Sequence, residues 1–139
     1  MAQKSTIEIE LEMFRALEGL MAKSVKGTFY SSEMRPIEAC TEDAVLTVSN
    51  GMPGQFEEGR ARLNIYVPDI DCGQADKVAD KDRLLELAKI DKTVLDTLNG
   101  ADTDYLFDFF QTTAIVAVPG KSEHFVNIGI HFKLVTFNE

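Results

Sequence analysis

A chain of 139 residues that is 45% hydrophobic and 27% charged has the composition of an ordinary globular protein, and it can bury the core of one domain without disulfides or metal ions. Its formal net charge of −9 argues against non-specific binding to free nucleic acid or to an anionic membrane surface, because both attract positive charge. A protein that surrounds DNA without gripping it is compatible with this charge. We expect one domain over residues 1–139.

Two cysteines, Cys40 and Cys72, lie far apart and belong to no CxxC motif. This pattern favours two reduced thiols in an intracellular protein. No apolar run approaches the roughly 20 residues that span a bilayer. Residues 6–12 alternate between apolar and acidic, which is unlike a signal peptide. The sequence therefore predicts a cytoplasmic protein that has no membrane partner.

The first predicted element is a helix over residues 5–23. Ser5 and Glu8 have the spacing of a capping box, and apolar residues follow at helical spacing at Ile7, Leu11, Phe14, Leu17 and Met21. Residues 7–13 also alternate as a strand would. The residues after them are good helix formers and alternate no longer, which favours the helix.

The next part of the chain is predicted to hold a short strand at residues 28–30 and a β-hairpin over residues 44–67. The hairpin turn is Asn-Gly-Met-Pro-Gly at residues 50–54, a segment dense in turn formers. The second strand of the hairpin ends at Pro68, which lacks the N–H needed to continue a ladder. Alternate residues of this strand are apolar and polar, so one face is predicted to be core and the other exposed.

A polar loop at residues 69–79 precedes a second predicted helix over residues 80–98, whose apolar residues recur at helical spacing. Asn99-Gly100 follows, as helix ends favour.

Three β-rich segments complete the chain, at residues 105–110, 111–118 and 123–137. Pro119-Gly120 between the last two has the type II turn preference, and the final strand again has an apolar and a polar face. The aromatic cluster of the first segment is predicted to be core: Phe107, Phe109 and Phe110. Strands joined by hairpins and interrupted by helices predict an α+β fold, with an antiparallel sheet of about four strands and two helices packed on one face.

No set of residues has an evident catalytic role. His124 and His131 are seven positions apart on one predicted strand, so we expect them on opposite faces, where they cannot share a metal ion or a proton. Asp69, Asp71 and Asp76 lack the ligand spacing of an EF-hand. The chain also lacks a phosphate-binding glycine loop and a GxSxG nucleophile elbow. We expect no enzymatic activity, no metal and no cofactor.

The polar face of the long strands is the predicted working surface. Arg60, Arg62 and Tyr66 share one side of their strand, and His131 and Lys133 would lie near them if the two long strands are neighbours. Arginine and tyrosine are favoured in protein interfaces, so these five residues are predicted to contact another protein subunit. The alternative is that a half-exposed strand carries such residues without any partner.

Four segments stand in a recognisable order: residues 30–36 (YSSEMRP), 41–46 (TEDAVL), 62–69 (RLNIYVPD) and 123–128 (EHFVNI). Together they resemble the phage tail-completion, or tail terminator-like, proteins of Bacteroidales prophages. The resemblance spans about residues 28–136, and its motifs are structural rather than catalytic.

The resemblance implies a small α+β protein that forms a homo-oligomeric ring, commonly a hexamer, on the end of a phage tail tube. Such a ring stops tube polymerisation and forms the surface that meets the head. The implied partners are tail-tube and head-completion proteins, and DNA passes through without specific binding. The implied location is the cytoplasm of the bacterial host during assembly and the virion tail afterwards.

A function of a different class is a small α+β ligand-binding domain or enzyme that uses a groove between helices and sheet. It would need a polar cluster inside that groove, for which the candidates are Asp102, Asp104, Tyr105 and Asp108.

Overall fold

The computed structural model describes residues 6–50, 58–71, 73, 76–101 and 103–134. Within these residues the helices are α1 (Thr6–Ser24), α2 (Lys81–Ala88) and α3 (Asp91–Gly100). The strands are β1 (Phe29–Ser31), β2 (Asp43–Asn50), β3 (Glu58–Pro68), β4 (Tyr105–Phe109), β5 (Ala114–Ala117) and β6 (Glu123–Leu134). The predicted α+β class is confirmed. The predicted hairpin is also confirmed by the antiparallel pairing of β2 with β3, although its turn at residues 51–54 lies outside the described residues.

Helix α1 forms where a helix was predicted, and Leu17 and Met21 of the predicted stripe are buried, but the first half of the helix buries a different stripe. Its core side chains, each at most 1% exposed, are Ile9, Met13, Leu17 and Met21. Ile7 and Leu11, which the predicted stripe included, are 71% and 42% exposed. Both sets recur every four residues and therefore both suit a helix face. The packing of α1 against β2 and α3 decides which set is buried.

The single helix predicted over residues 80–98 is wrong, because the chain divides it into α2 and α3. Ile90 has a ψ of 0° and interrupts the regular helix. The carboxylate of Asp91 then accepts a hydrogen bond of 2.7 Å from the hydroxyl of Thr113, which fixes the start of α3 to the segment between β4 and β5. As a result α2 packs against β6 and β3, whereas α3 packs against β4 and α1.

The sheet has the strand order β1-β2-β3-β6-β4, and β5 also pairs with β6. All of these pairs are antiparallel except β1 with β2, which is parallel. The prediction of about four antiparallel strands is therefore corrected to a mixed sheet of six strands. Because a parallel pair cannot be joined by a tight hairpin, residues 32–42 form an irregular crossover between β1 and β2.

β4 and β5 pair with the same edge of β6 and behave as one interrupted strand. Phe109 lies opposite Ile130, whereas Ala114 lies opposite Asn127. Residues 110–113 therefore bulge outward opposite the two residues 128–129. Phe110 still donates its N–H to the carbonyl of Gly129 at 3.3 Å, so it continues the alternation of β4 before the pairing is interrupted.

All three helices cover one face of the sheet, as predicted. The odd residues of β3 and the even residues of β6 face the helices, since Leu63 pairs with Ile128 and Ile65 with Val126. These four side chains are fully buried in one hydrophobic core that also contains the inner stripes of α1, α2 and α3. No helix of the described residues lies on the opposite face of the sheet, and we call it the open face.

Candidate functional site: the open face of the sheet

The open face brings together four of the five residues predicted as an interface. β3 and β6 are neighbours and pair antiparallel, which places Arg60 opposite His131 and Glu58 opposite Lys133. Arg62 is two residues along the same strand and lies opposite Gly129. The condition on which the predicted surface depended, that the two long strands are adjacent, is therefore met.

Phe110 sits between the two arginines. The guanidinium carbon of Arg60 lies 4.8 Å from the centre of the Phe110 ring, and that of Arg62 lies 5.2 Å from it. The ring packs closely over the open face, because a Cβ added at Gly129 would approach it to 2.8 Å. Phe110 was predicted to be core together with Phe107 and Phe109. The alternation along β4 instead puts Phe110 on the open face with Leu106 and Asp108, whereas Phe107 is buried and Phe109 packs against the core.

Neither arginine forms an ion pair with a carboxylate in the described part of the chain. Both side chains are exposed, and each stacking contact with a ring at such a site contributes only about 0.5–1 kcal/mol. Two cations held in place by an aromatic ring, in a protein of net charge −9, form a local positive patch. This patch can accept carboxylates or phosphates from another molecule.

His131 holds the acidic groups of the open face at one end of this patch. Its Nε2 lies 2.6 Å from Glu58 Oε2, and its Nδ1 lies 3.0 Å from Asp108 Oδ1. The imidazole thereby links β3, β6 and β4. Glu58 and Asp108 are thus bonded to His131 and not to Arg60 or Arg62.

Tyr66, the fifth predicted residue, lies away from the arginine patch and is half-buried. Its ring is 5.2 Å from that of Phe125, and the guanidinium of Arg35 covers it at 4.2 Å. Tyr66 is therefore part of the packing beneath the crossover at residues 32–42. It is not an exposed anchor beside Arg60 and Arg62.

Arg35 fastens this crossover to the sheet, a role that sequence reasoning missed. Its Nε donates to Asp43 Oδ2 at 3.1 Å, and its Nη1 donates to Glu123 Oε1 at 3.2 Å. Its Nη2 donates to the carbonyl of Thr41 at 3.0 Å. Both carboxylates are almost fully buried, with 2% and 3% of their side chains exposed. The Arg-Pro dipeptide belongs to residues 30–36, one of the four segments of the resemblance. No local pattern in the sequence indicates which residues Arg35 contacts.

The buried charges in this network stabilise one another. Burial works against the charge on Arg35, but the Glu123 and Asp43 carboxylates outweigh it and raise the pKa of the guanidinium. Burial also opposes ionisation of Asp43. Hydrogen bonds from the Thr28 N–H, the Thr41 hydroxyl and Arg35 nevertheless hold the pKa of this carboxyl below its usual value.

A second buried ion pair joins the end of the crossover, next to β2, to α2. Arg83 donates to both carboxylate oxygens of Glu42 at 2.7 Å and to the carbonyl of Ser24 at 2.8 Å. Burial opposes ionisation of Glu42, yet Arg83 and the backbone N–H of Lys26 hold its pKa below the usual value. This pair lines a cavity of ≈ 440 Å³ between α2 and the end of β3, which is a groove between helix and sheet.

The residues proposed for a functional groove do not converge there. Asp102 lies outside the described residues, and Asp104 is exposed. Tyr105 is buried on the helix side, with its ring 5.5 Å from that of Phe132, whereas Asp108 is on the open face beside His131. The three described members of this set therefore form no polar cluster in the groove.

The two histidines lie on opposite faces, as predicted. His124 Nδ1 is 2.7 Å from Asp69 Oδ1, far from the contacts of His131. Asp71 caps its own turn by accepting the Gly73 N–H at 2.9 Å.

Two further features concern only the described residues. No group of three or more histidine, cysteine or acidic side chains is placed to hold a metal ion there, and no helix there is long and apolar enough to cross a membrane. Cys40 is a free, exposed thiol, and Cys72 lies outside the described residues.

Comparison with known proteins does not identify the chain. No protein-family model matches it, and no curated protein matches it. A solved structure whose name states no function aligns over 96% of both chains with 12% sequence identity and a TM-score of 0.47. A likeness at this level carries no functional conclusion.

Proposed function

We propose that the chain is a structural protein of a phage or prophage tail, which assembles as a ring on the end of the tail tube and forms the surface that meets the head. The observation that carries this proposal is the open face, where Arg60, Arg62 and Phe110 form an exposed patch with no partner in the described part of the chain. Such a patch suits contact with another protein, and the proposal assigns no catalysis to it.

The four segments that resemble tail-completion proteins meet in space, which supports their use as a structural signature. Arg35 from the first segment bonds Asp43 from the second and Glu123 from the fourth. It also stacks on Tyr66 from the third. These positions are up to 88 residues apart, so a shared order of the four segments is more informative than any one of them.

The partners in this proposal are further copies of the chain, the tail-tube protein and the head-completion protein. DNA would pass through the ring without specific binding, and the net charge of −9 is compatible with this, since a strongly basic channel would retain DNA. The site of action is the host cytoplasm during assembly and then the virion tail.

The direct test is binding to tail tubes. The genes adjacent to this one should encode tail-tube, tape-measure and portal proteins, and the purified chain should cap reconstituted tubes of that element and fix their length in negative-stain electron microscopy. Arg60→Glu with Arg62→Glu should abolish capping. Lys89→Glu with Lys92→Glu is the matched control, because it changes the net charge equally on another surface. A chain that stays monomeric and leaves tube growth unchanged would contradict the proposal.

The cavity of ≈ 440 Å³ is the observation that favours the second candidate, a ligand-binding domain or enzyme. Two of its charged groups, Glu42 and Arg83, are already paired with each other, which leaves less chemistry for a ligand. A thermal-shift screen with small polar metabolites tests it. A stabilising ligand whose effect is lost in Lys26→Met, with tube capping unaffected, would favour this candidate.

A further inference from the structure

The outer surface of α1 has the opposite character to the arginine patch. Ile7 and Leu11 are 71% and 42% exposed, because the helix buries its other apolar stripe. Glu8 and Glu18 are exposed on the same side of the helix. Residues 7–18 carry four glutamates and one arginine, so this surface combines two exposed apolar residues with an acidic balance. Arg15, one turn after Leu11, is its basic residue.

The arginine patch of the open face is complementary to the outer surface of α1, because it is positively charged and also offers apolar side chains. Arg60 and Arg62 supply the positive charge, and Phe110 lies between them. Leu106 on β4 is 59% exposed and adds an aliphatic side chain to the open face next to Lys133, its pairing partner on β6. Buried aromatic and aliphatic contacts surrounded by opposite charges are typical of specific protein interfaces.

The two surfaces belong to opposite layers of the molecule, since α1 covers one face of the sheet and the patch occupies the other. They cannot meet within one chain. A ring closes through head-to-tail contacts, in which each subunit uses two different surfaces. A contact between the patch of one copy and α1 of the next satisfies that requirement.

We propose that the subunits of this protein associate head to tail, with the outer surface of α1 of one copy docked on the Arg60–Phe110–Arg62 patch of its neighbour. This inference rests on the proposed function, because it assigns the subunit contact of the ring. Carboxylates of α1 would pair with the two guanidinium groups, which can bind them with two parallel hydrogen bonds. Ile7 and Leu11 would cover Phe110.

Complementary variants test the contact by sedimentation velocity over a range of protein concentrations. The first variant, Arg60→Glu with Arg62→Glu, destroys the patch and keeps α1. The second, Glu8→Lys with Glu18→Lys, destroys the α1 surface and keeps the patch. Each alone should self-associate about tenfold or more weakly than wild type, since placing like charges opposite each other costs more than 1.4 kcal/mol. Their equimolar mixture should regain assembly, because the two intact surfaces pair with each other and the two charge-reversed surfaces are again opposite in charge.

Two further samples sharpen the result. The chain that carries all four substitutions should regain assembly, since both charges are then reversed together. The control Lys89→Glu with Lys92→Glu should assemble as wild type, and circular dichroism of every variant checks that it is folded.

The possible failures are distinct. If Arg60→Glu with Arg62→Glu abolishes tube capping while Glu8→Lys with Glu18→Lys assembles and caps as wild type does, the docking is wrong while the proposed function stands. If both variants are monomeric and their mixture is also monomeric, the contact joins other surfaces and the docking is again wrong. If wild type is monomeric both alone and with tail tubes, the ring itself is absent, and both proposals fall.

Discussion

Arg35→Met should be the most destabilising single substitution in the crossover between β1 and β2. The arginine side chain is only 10% exposed, and its loss leaves the carboxylates of Asp43 and Glu123 buried without their main counter-charge. It also removes the cation that covers the Tyr66 ring at 4.2 Å. Methionine keeps most of the apolar length of the side chain, so the effect reports the loss of the guanidinium.

The expected loss is about 3 kcal/mol in the free energy of unfolding at pH 7. Removing one partner of a buried ion pair typically costs about 3–5 kcal/mol. We place this case at the lower end because Asp43 keeps hydrogen bonds from Thr28 and Thr41 at 2.9 and 2.6 Å. Glu123 also keeps Lys121 Nζ at 3.4 Å. A loss of this size is a large fraction of the about 5–15 kcal/mol that stabilise a typical domain.

The loss should depend on pH. In the wild type the folded-state pKa of Asp43 is depressed. Its ionisation therefore stabilises the fold above the unfolded-state pKa of about 4, and this contribution is lost as the pH falls through the lower folded value. Arg35→Met removes much of that contribution. The difference between wild type and variant should be complete at pH 6–7 and should narrow below about pH 4.

Urea unfolding followed by circular dichroism at each pH measures the free energy of unfolding of wild type and variant. With an m-value of about 1.5 kcal/mol/M, the midpoint should fall by about 2 M at pH 7. The stability of Arg35→Lys should lie between those of wild type and Arg35→Met, because lysine keeps the positive charge but lacks the planar guanidinium group. Arg15→Met, at an exposed position of α1, should change the stability by less than about 0.5 kcal/mol. A loss below 1 kcal/mol for Arg35→Met, or a difference that is equal at pH 7 and pH 3.5, would refute the proposed network.

The second ion pair predicts that Arg83→Met costs about 3 kcal/mol at neutral pH. The cost should decrease below about pH 4.3, because the folded-state pKa of Glu42 is depressed and protonation removes the buried charge; urea unfolding at pH 7 and pH 4 measures it. Gly129→Ala should cost about 1–3 kcal/mol in thermal unfolding, since the new methyl group would lie 2.8 Å from the Phe110 ring. Asn99→Ala should cost about 2 kcal/mol in urea unfolding, because the amide exchanges two hydrogen bonds of 2.9 and 2.8 Å with the backbone of β4.

Controls separate these effects from general damage. Adding Phe110→Ala to Gly129→Ala should recover part of the loss, because the two positions touch and their effects are then not additive; strict additivity would show that the ring is not over the glycine. Asn99→Ser should be no better than alanine, since serine is too short to reach both backbone groups. Equal stability of Arg83→Met and wild type at pH 7 would contradict a buried, ionised Glu42.

The elements that follow from local periodicity could be predicted from the sequence. The first helix, the hairpin and the two long alternating strands all form, because a period of 3.6 or 2 depends only on neighbouring residues. The turn at Pro119-Gly120 also forms as predicted, with a φ of 75° at Gly120. The strand period likewise places the two histidines on opposite faces.

Only part of the candidate site could be predicted from local sequence patterns. Arg60 and Arg62 could be assigned to one face of a strand, but Phe110 could not be placed with them. The alternation of β4 assigns Phe110 to one face of its own strand, but its place beside the two arginines depends on the pairing of β4 with β6 and of β6 with β3. The anchoring roles of Arg35 and Arg83 were missed for the same reason, since their partners are 88 and 41 residues away.

The sequence by itself therefore determined the α+β class, the apolar and polar faces of β3 and β6, and the residues that could form a polar surface. Only the tertiary structure decided which stripe of α1 is buried, because residues 7–13 carry two apolar sets at helical spacing and the sheet and α3 select one of them. It also decided that β1 joins β2 in parallel and that the second helix divides at Ile90. Each of these outcomes depends on contacts between distant parts of the chain, which local sequence patterns do not encode.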